Sequence, residues 1–299
     1  QHTMGSTHDH AEHLFQQRPL FFLWRRLKNS WIQRNTIWDV ENGYYTNVNK
    51  QKIYFPETKK ENESEWKPMF YDAPVPVSDL PSFNGELNTQ FSVVGNDMVY
   101  ECIRLKSLGT FKSPIVLDLA SQLHPGGSYR SGATAQEEDL CRRSDLWRFL
   151  EPLPYPHPEA GGYYLPRVSF FREAVDKEYQ YKDAIAILPV LCVAAIRNPT
   201  LENTPEGPRL STSDIDATIR CMWTTFKMAY DHGHDALVLG AFGCGAFHNP
   251  PEQIAELYIQ TVNRFFPGVF AQITFSILPP NGQNFSSFQR VAERHLNQP

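Results

Sequence analysis

Gln136-Glu137-Glu138-Asp139 places adjacent carboxyl groups immediately before the basic pair Arg142-Arg143. Two acids at close quarters suit hydrolysis of a glycosidic bond. One carboxyl protonates the leaving oxygen, and its neighbour can raise the pKa of that group by like-charge repulsion. Acids preceding basic residues are most often only the solvated start of a helix, where the charges suit the dipole. The loop upstream shifts the balance towards chemistry. Gly126 to Gly132 is a long glycine-containing segment that would wrap a ligand and deliver the acids beside it.

Two glycine-rich segments each follow an apolar run and lead towards a helix, the geometry in which backbone N–H groups converge on an anion. The first is Leu117-Asp118-Leu119-Ala120-Ser121-Gln122-Leu123-His124-Pro125-Gly126-Gly127-Ser128, and the second runs from Leu239 through Gly243-Cys244-Gly245-Ala246-Phe247 to Pro251. In the second, glycines let the backbone approach phosphate oxygens, and Asn249 with two prolines sets the start of a helix whose positive end faces the same place. Together the loops could clamp a diphosphate. Cys244 invites a nucleophile reading, but Phe242 and Ala246 occupy the flanking positions that a nucleophile elbow reserves for glycine, so a backbone role is expected.

Elements that would carry these loops are readable as short apolar runs. Residues 90–94, 115–120, 184–188, 236–240 and 273–277 predict strands, most of them buried on both faces. Between them lie helical segments, one from Ser213 as N-cap to near Gly233 and another from about Pro251. Strands alternating with helices predict an α/β sandwich around a mainly parallel or mixed sheet. Near the start, Leu23, Leu27, Trp31 and Trp38 recur roughly every four residues, which predicts a helix packing its apolar side onto the body. Lys59 to Glu65 reads as a solvated charge run, and 152–158 and 198–208 read as Pro-rich loops.

Composition sets the limits. With 299 residues and 41% apolar content the chain can bury one large core, and a net charge of −5 gives no global attraction to a polyanion. General nucleic-acid binding is therefore not expected, and an anionic ligand has to be caught locally. Five scattered cysteines without a CxxC pair read as reduced thiols of an intracellular protein, cytoplasmic or nuclear. Gln1 to Leu14 resembles neither a secretory nor a transit segment, and no apolar run approaches membrane-spanning length. His232 and His234 around Gly233 make a poor metal site, being placed where a helix ends.

Pro125-Gly126-Gly127-Ser128, seven further residues and then Gln136-Glu137-Glu138 resemble the signature of microbial poly(ADP-ribose) glycohydrolases, a branch of the macrodomain superfamily, in which a glycine triplet precedes Gln-Glu-Glu. Leu117 to Ser121, Leu237 to Pro251 and Phe91 to Asp97 are similar to the same family, as is the N-terminal helix, so the likeness runs from about Arg25 to Arg290. The resemblance implies a three-layer α/β/α macrodomain-like mixed sheet with an N-terminal helical extension: a disordered or tag-like 1–22, an accessory region 23–89 and a catalytic core 90–299. It implies Glu138 as general acid and Glu137 as the ligand of the reacting ribose. Gln136 would support the loop. Asp118 would anchor the glycine loop or the ribose, with Ser121, Gly126, Gly127 and Ser128 around it. Gly243, Cys244, Gly245 and Ala246 would donate N–H groups to the diphosphate, Phe247 would stack on the ligand, and Asp97 would accept from the adenine amino group.

The implied activity is release of ADP-ribose from poly(ADP-ribose), free or attached to protein, by a monomer that uses no metal or cofactor. The chain departs from the family pattern at Ser128, the third position of the triplet. A positive φ there would cost a serine about 1–2 kcal/mol. That cost motivates a rival reading, a module that binds ADP-ribose without cleaving it; a second rival is a hydrolase of mono-ADP-ribosylated substrates. Gly95 also stands where the family often carries Asn.

Overall fold

The computed structural model describes residues 19–56, 67–73, 75–205, 207–280 and 282–296; the charge run 59–65 and the segment 1–14 lie outside the described residues. In chain order the main elements are α1 (Pro19–Asn42), β1 (Tyr44–Thr46), β2 (Lys52–Tyr54), β3 (Met69–Tyr71), β4 (Gln90–Val94), α2 (Met98–Leu108), β5 (Pro114–Leu119), α3 (Gln136–Arg143) and α4 (Leu146–Leu150). They continue with β6 (Gly162–Arg172), β7 (Tyr181–Val193), β8 (Leu201–Thr204), β9 (Gly207–Leu210), α5 (Thr212–Asp231), β10 (Ala236–Leu239), α6 (Pro251–Phe265), β11 (Gln272–Ser276) and α7 (Gln283–Leu296). Seven strands form one mixed sheet in the order β3-β6-β7-β5-β10-β11-β4. The run from β7 through β4 is parallel, and β6 is antiparallel to both β3 and β7.

Layering follows from burial. Pro114 to Asp118 of β5 and all of β10 are buried, so these central strands are covered on both faces. On one side α5 packs on α6 and α6 on α7, while α2 lies against β5 and β10. This is the α/β/α mixed sheet that the resemblance implied. Strand β3 falls inside the stretch read as accessory, yet it forms an edge of the main sheet, so a boundary at residue 90 does not separate extension from sheet. The Pro-rich stretch 198–208 contains the small β8–β9 hairpin where a loop was expected. Helix α5 starts two residues earlier than expected, because the Ser211 side chain, not that of Ser213, accepts from Asp214 N.

Helix α1 exists as predicted but is turned the other way. Leu23, Leu27, Trp31 and Trp38 all face solvent. The face against the body is largely polar, with Asn29, Gln33, Thr36 and Asp39 buried beside Ile32 and Val40. The reason is what this face meets. Asn29 Nδ2 donates to Gly132 O (3.2 Å), Ser30 Oγ to Arg130 O (3.0 Å), Gln33 Nε2 to Cys141 O (3.2 Å) and Thr36 Oγ1 to Arg142 O (2.8 Å). Those carbonyls belong to the end of the glycine loop and to the last turn of α3, neither of which can satisfy them internally. A helix laid across them needs donors, not apolar side chains. No helix among the described residues is long and apolar enough to cross a membrane.

Candidate active site

The carboxyl ends of β4, β5, β10 and β11 converge on one cavity of about 770 Å³, lined among others by Gly95, Ala120, Gln136, Gly243, Phe247 and Ser276. Ligands of open α/β sheets sit at this end of the strands. A second cavity of about 270 Å³ is lined by Pro125, Gly127, Ser128, Tyr129, Arg130, Ser131 and Glu151. Glu137 and Glu138 are buried, follow the wall residue Gln136 in the first turn of α3 and lie against Gly127, a wall residue of the second cavity, while lining neither cavity themselves.

Gln136 pins this turn to the sheet. Its Oε1 accepts from Leu119 N (2.9 Å), and its Nε2 donates to Leu117 O (2.9 Å) and to Met98 Sδ (3.4 Å). It thus completes the exposed backbone at the end of β5, which is a stricter role than supporting the loop. Glu137 accepts from Ser121 N through Oε2 (2.8 Å), and Glu138 accepts from Ser128 N through Oε1 (3.0 Å). The hydroxyl of Ser121 is occupied in its own turn, accepting from Leu123 N and His124 N (both 3.3 Å). The remaining oxygens, Glu137 Oε1 and Glu138 Oε2, are buried without a hydrogen-bond partner.

Ser128 has φ −106°, so the serine carries no left-handed strain. The left-handed positions before it are Gly126 and Gly127, at φ +68° and +59°, and at Gly127 a Cβ would stand 2.5 Å from Glu138 Oε1 and 3.1 Å from Glu137 Oε2. The missing side chain makes room for the two acids.

Asp118, like the two glutamates, lines neither cavity. It is fully buried near them, and both of its oxygens lack a hydrogen-bond partner among the described residues. Burial pushes its carboxyl up to about 7, against the pull of the Cys192 thiol, and the charge of Glu138 adds to the rise. Glu137 is likewise held well above the usual carboxylate range, by burial and then by the charge of Asp118, although the Ser121 N–H lowers it. Both groups are protonated more readily when folded than when unfolded. The stability they lend is therefore complete below their unfolded pKa values and drains as pH rises through the folded ones. Asp118→Asn is expected to flatten the fall in stability between pH 3.8 and about 7, as read by urea midpoints across that window.

The second loop presents the N–H groups of Gly243, Gly245, Ala246 and Phe247 without a partner among the described residues. Cys244 differs. Its N–H donates to Ala241 O (3.0 Å), and it is not a wall residue, so it does not join the donor set expected of it. Burial pushes its thiol far up, which also argues against a nucleophile. Gly243 has φ +69°, and a Cβ there would lie 2.4 Å from Asn249 Nδ2 and 2.7 Å from Ala195 Cβ. Asn249 ties the loop together by donating to Ile196 O (2.8 Å) and Gly243 O (3.2 Å). Phe247 lies on the cavity wall while packing partly against the core.

Asp97 also lines the cavity, but its carboxylate is committed elsewhere. It caps α2 by accepting from Tyr100 N (3.0 Å) and grips Arg143 at 2.7 and 2.9 Å. An adenine contact from this carboxylate would be an addition to that duty. Sequence reasoning missed Arg143, which is buried on α3 and also bonds Asp139 at 3.1 Å. Two aspartates so far apart in sequence gave no signal of a shared partner. Arg143→Met would leave both carboxylates facing a buried apolar group and is expected to cost about 3–5 kcal/mol in urea unfolding. Arg25, Asn96 and Thr134 are further wall residues to which sequence reasoning gave no role.

Among the described residues no group of three or more His, Cys, Asp or Glu could hold a metal ion. His232 stacks on Tyr164 at 3.7 Å, and His234 is locked between the Tyr164 hydroxyl (3.0 Å) and Ser113 O (2.8 Å), with burial lowering its pKa to about 4.

The family model for the microbial-type PARG catalytic domain matches residues 33–166, which hold the glycine loop, α3 and the polar face of α1. No curated protein matches the chain. Among solved structures, poly(ADP-ribose) glycohydrolase from Thermomonospora curvata bound to the inhibitor ADP-HPD has a TM-score of 0.71 at 24% identity, over 88% of this chain and 98% of that one. The enzyme from Deinococcus radiodurans in complex with ADP-ribose has a TM-score of 0.59 at 26% identity, over 71% of this chain and 87% of that one. The signature segment of the chain thus lies within the stretch, residues 33–166, that is similar to the microbial-type PARG catalytic domain.

Proposed function

We propose that the protein hydrolyses the ribose–ribose O-glycosidic bond of poly(ADP-ribose) and releases ADP-ribose, with Glu138 as the proton donor. One observation carries the assignment. Glu138 lies against Gly127, a wall residue of the smaller cavity, with one oxygen fixed by Ser128 N–H and the other buried without a hydrogen-bond partner among the described residues. A carboxyl held there has one oxygen left to give a proton to a bond brought against the glycine loop.

The main cavity falls within the 300–1,000 Å³ range typical of small-molecule sites. The free N–H groups of the second loop and the start of α6 would receive the diphosphate, and Phe247 would pack on the ligand. Glu138 would give its proton to the departing oxygen as the C–O bond breaks. Water then attacks the oxocarbenium-like carbon and returns a proton to the same carboxylate, which balances the cycle. Glu137, fixed by Ser121, would hold hydroxyls of the reacting ribose. None of these steps needs a metal or a cofactor. The non-hydrolytic reading drew its motive from strain at Ser128, and φ −106° removes that motive. Incubation with poly(ADP-ribose) should release ADP-ribose. Tight calorimetric binding of ADP-ribose with no turnover on polymer would instead favour a reader.

A further inference from the structure

The outward face of α1 is unusual for a surface. Trp24, Trp31 and Trp38 are 54%, 60% and 53% exposed, with Leu23 and Leu27 beside them. Their seven-residue spacing puts successive indoles about 10 Å apart along one side of the helix. Arg25 and Arg34 are exposed on the same helix. Of its two acids, Asp39 is buried against Arg172 and Glu41 sits at the far end. Beyond Trp38 the aromatic line continues through Tyr44 (ring centres 6.3 Å apart) to Tyr54, and Lys52 lies over the Tyr44 ring. Cations interleaved with aromatic rings are the chemistry that holds a polyanion carrying bases, through stacking and phosphate contacts. The net charge of the whole chain is −5, so this strip is a local exception.

The face is continuous with the active site. Arg25 lines the main cavity. The next residue, Arg26, donates to Ser131 O (3.3 Å), and Ser131 lines the smaller cavity beside the glycine loop. A chain leaving the acids across Ser128 to Ser131 therefore arrives on α1.

We propose that the outward face of α1 is a second binding surface for the substrate. It would stack adenine bases of the polymer beyond the scissile bond on Trp24, Trp31 and Trp38, and hold its pyrophosphates with Arg25 and Arg34. The inference rests on the polymer reading given above. It makes the enzyme sensitive to chain length, because only substrates extending past the glycine loop reach the indoles.

The test compares wild type with a Trp24→Ala, Trp31→Ala, Trp38→Ala triple variant and with Arg34→Glu, on long polymer and on the two-unit dimer. Because the replaced side chains are exposed, the fold should tolerate them. KM for long polymer is expected to rise about tenfold in the triple variant, and the salt dependence to weaken in Arg34→Glu, with kcat and all constants for the dimer unchanged. Equal KM values for long polymer would overturn the proposal. If wild type cleaves neither substrate, it is the hydrolysis reading that fails. Titration of polymer against indole fluorescence then decides the surface on its own, and equal polymer affinity in wild type and triple variant overturns it. So would substitutions that abolish binding to phosphatidylserine vesicles, or dissolve a dimer of the chain, while polymer affinity stays intact.

Discussion

Glu138→Gln is expected to reduce ADP-ribose release by about 10³-fold while ADP-ribose itself still binds, since general acid–base groups contribute roughly 10²–10⁴-fold. The amide keeps the shape of the carboxyl, and its oxygen can still accept from Ser128 N, so the glycine loop should hold its course. What disappears is a transferable proton. Because both proposed half-reactions would route a proton through this one group, the leaving-oxygen step and the water step should fail together. Single-turnover rates on polymer, paired with calorimetry for ADP-ribose, separate this from a binding defect: kcat should fall with little change in affinity. Undiminished turnover in Glu138→Gln would remove Glu138 from the mechanism. Glu137→Gln should behave differently, because Oε2 of Glu137 holds Ser121 N and the other oxygen is free to face the ribose. Its loss should appear in KM as well as in kcat.

The parts of the fold that were readable in the sequence are those where one physical demand dominates. Strands β5, β10 and β11 lie inside the sheet, so their residues read as short apolar runs within a residue of the observed bounds, and the edge strand β4 has the bounds read for it. Strand β6 did not announce itself. It mixes buried and half-buried positions, carries Pro166 and shifts register against β7 between Leu165 and Val168, so neither alternation nor an apolar run is clean. Strand β7 was legible only at 184–188 of its thirteen residues, for it too carries a proline, Pro189, and its half-exposed first part packs differently from its buried end.

Helix α1 shows the sharper limit. Periodicity marks a helix and its apolar side, but it cannot say what the other side will meet. Here the body offers unsatisfied carbonyls at Arg130, Gly132, Cys141 and Arg142, and the polar side of the helix takes them.

The site was legible in the same uneven way. Residue types and spacing located the acids, both glycine loops and the wall residues Gln136 and Phe247. They did not reveal which side chains spend their polar atoms on the protein itself. Asp97 is taken by Arg143, the Ser121 hydroxyl by its own turn, and the Cys244 N–H by Ala241. Asp118 is a fully buried neighbour of the acids that lines neither cavity. Each of these assignments depends on contacts between segments far apart in sequence, for which spacing carries no signal.

Gly127→Ala is expected to be nearly as damaging as loss of the proton donor, though it removes no functional group. At φ +59° an alanine carries a left-handed penalty of about 1 kcal/mol, which the fold can absorb. The greater effect is local. The new methyl would sit 2.5 Å from Glu138 Oε1, so either the carboxyl turns away or the loop lifts and takes Ser128 N–H with it. Both outcomes displace the proton donor by the order of an ångström, which can lower turnover by about 10²-fold. ADP-ribose affinity should change little, because in the proposed mode the diphosphate would be held by the second loop. Ser128→Gly is the matched control. At φ −106° the serine is unstrained, so restoring glycine there should leave kcat unchanged on polymer. If Gly127→Ala turned over polymer at the wild-type rate, the loop would have to stand clear of both acids when substrate is bound, and Ser128 N–H could not be what fixes Glu138 during the reaction.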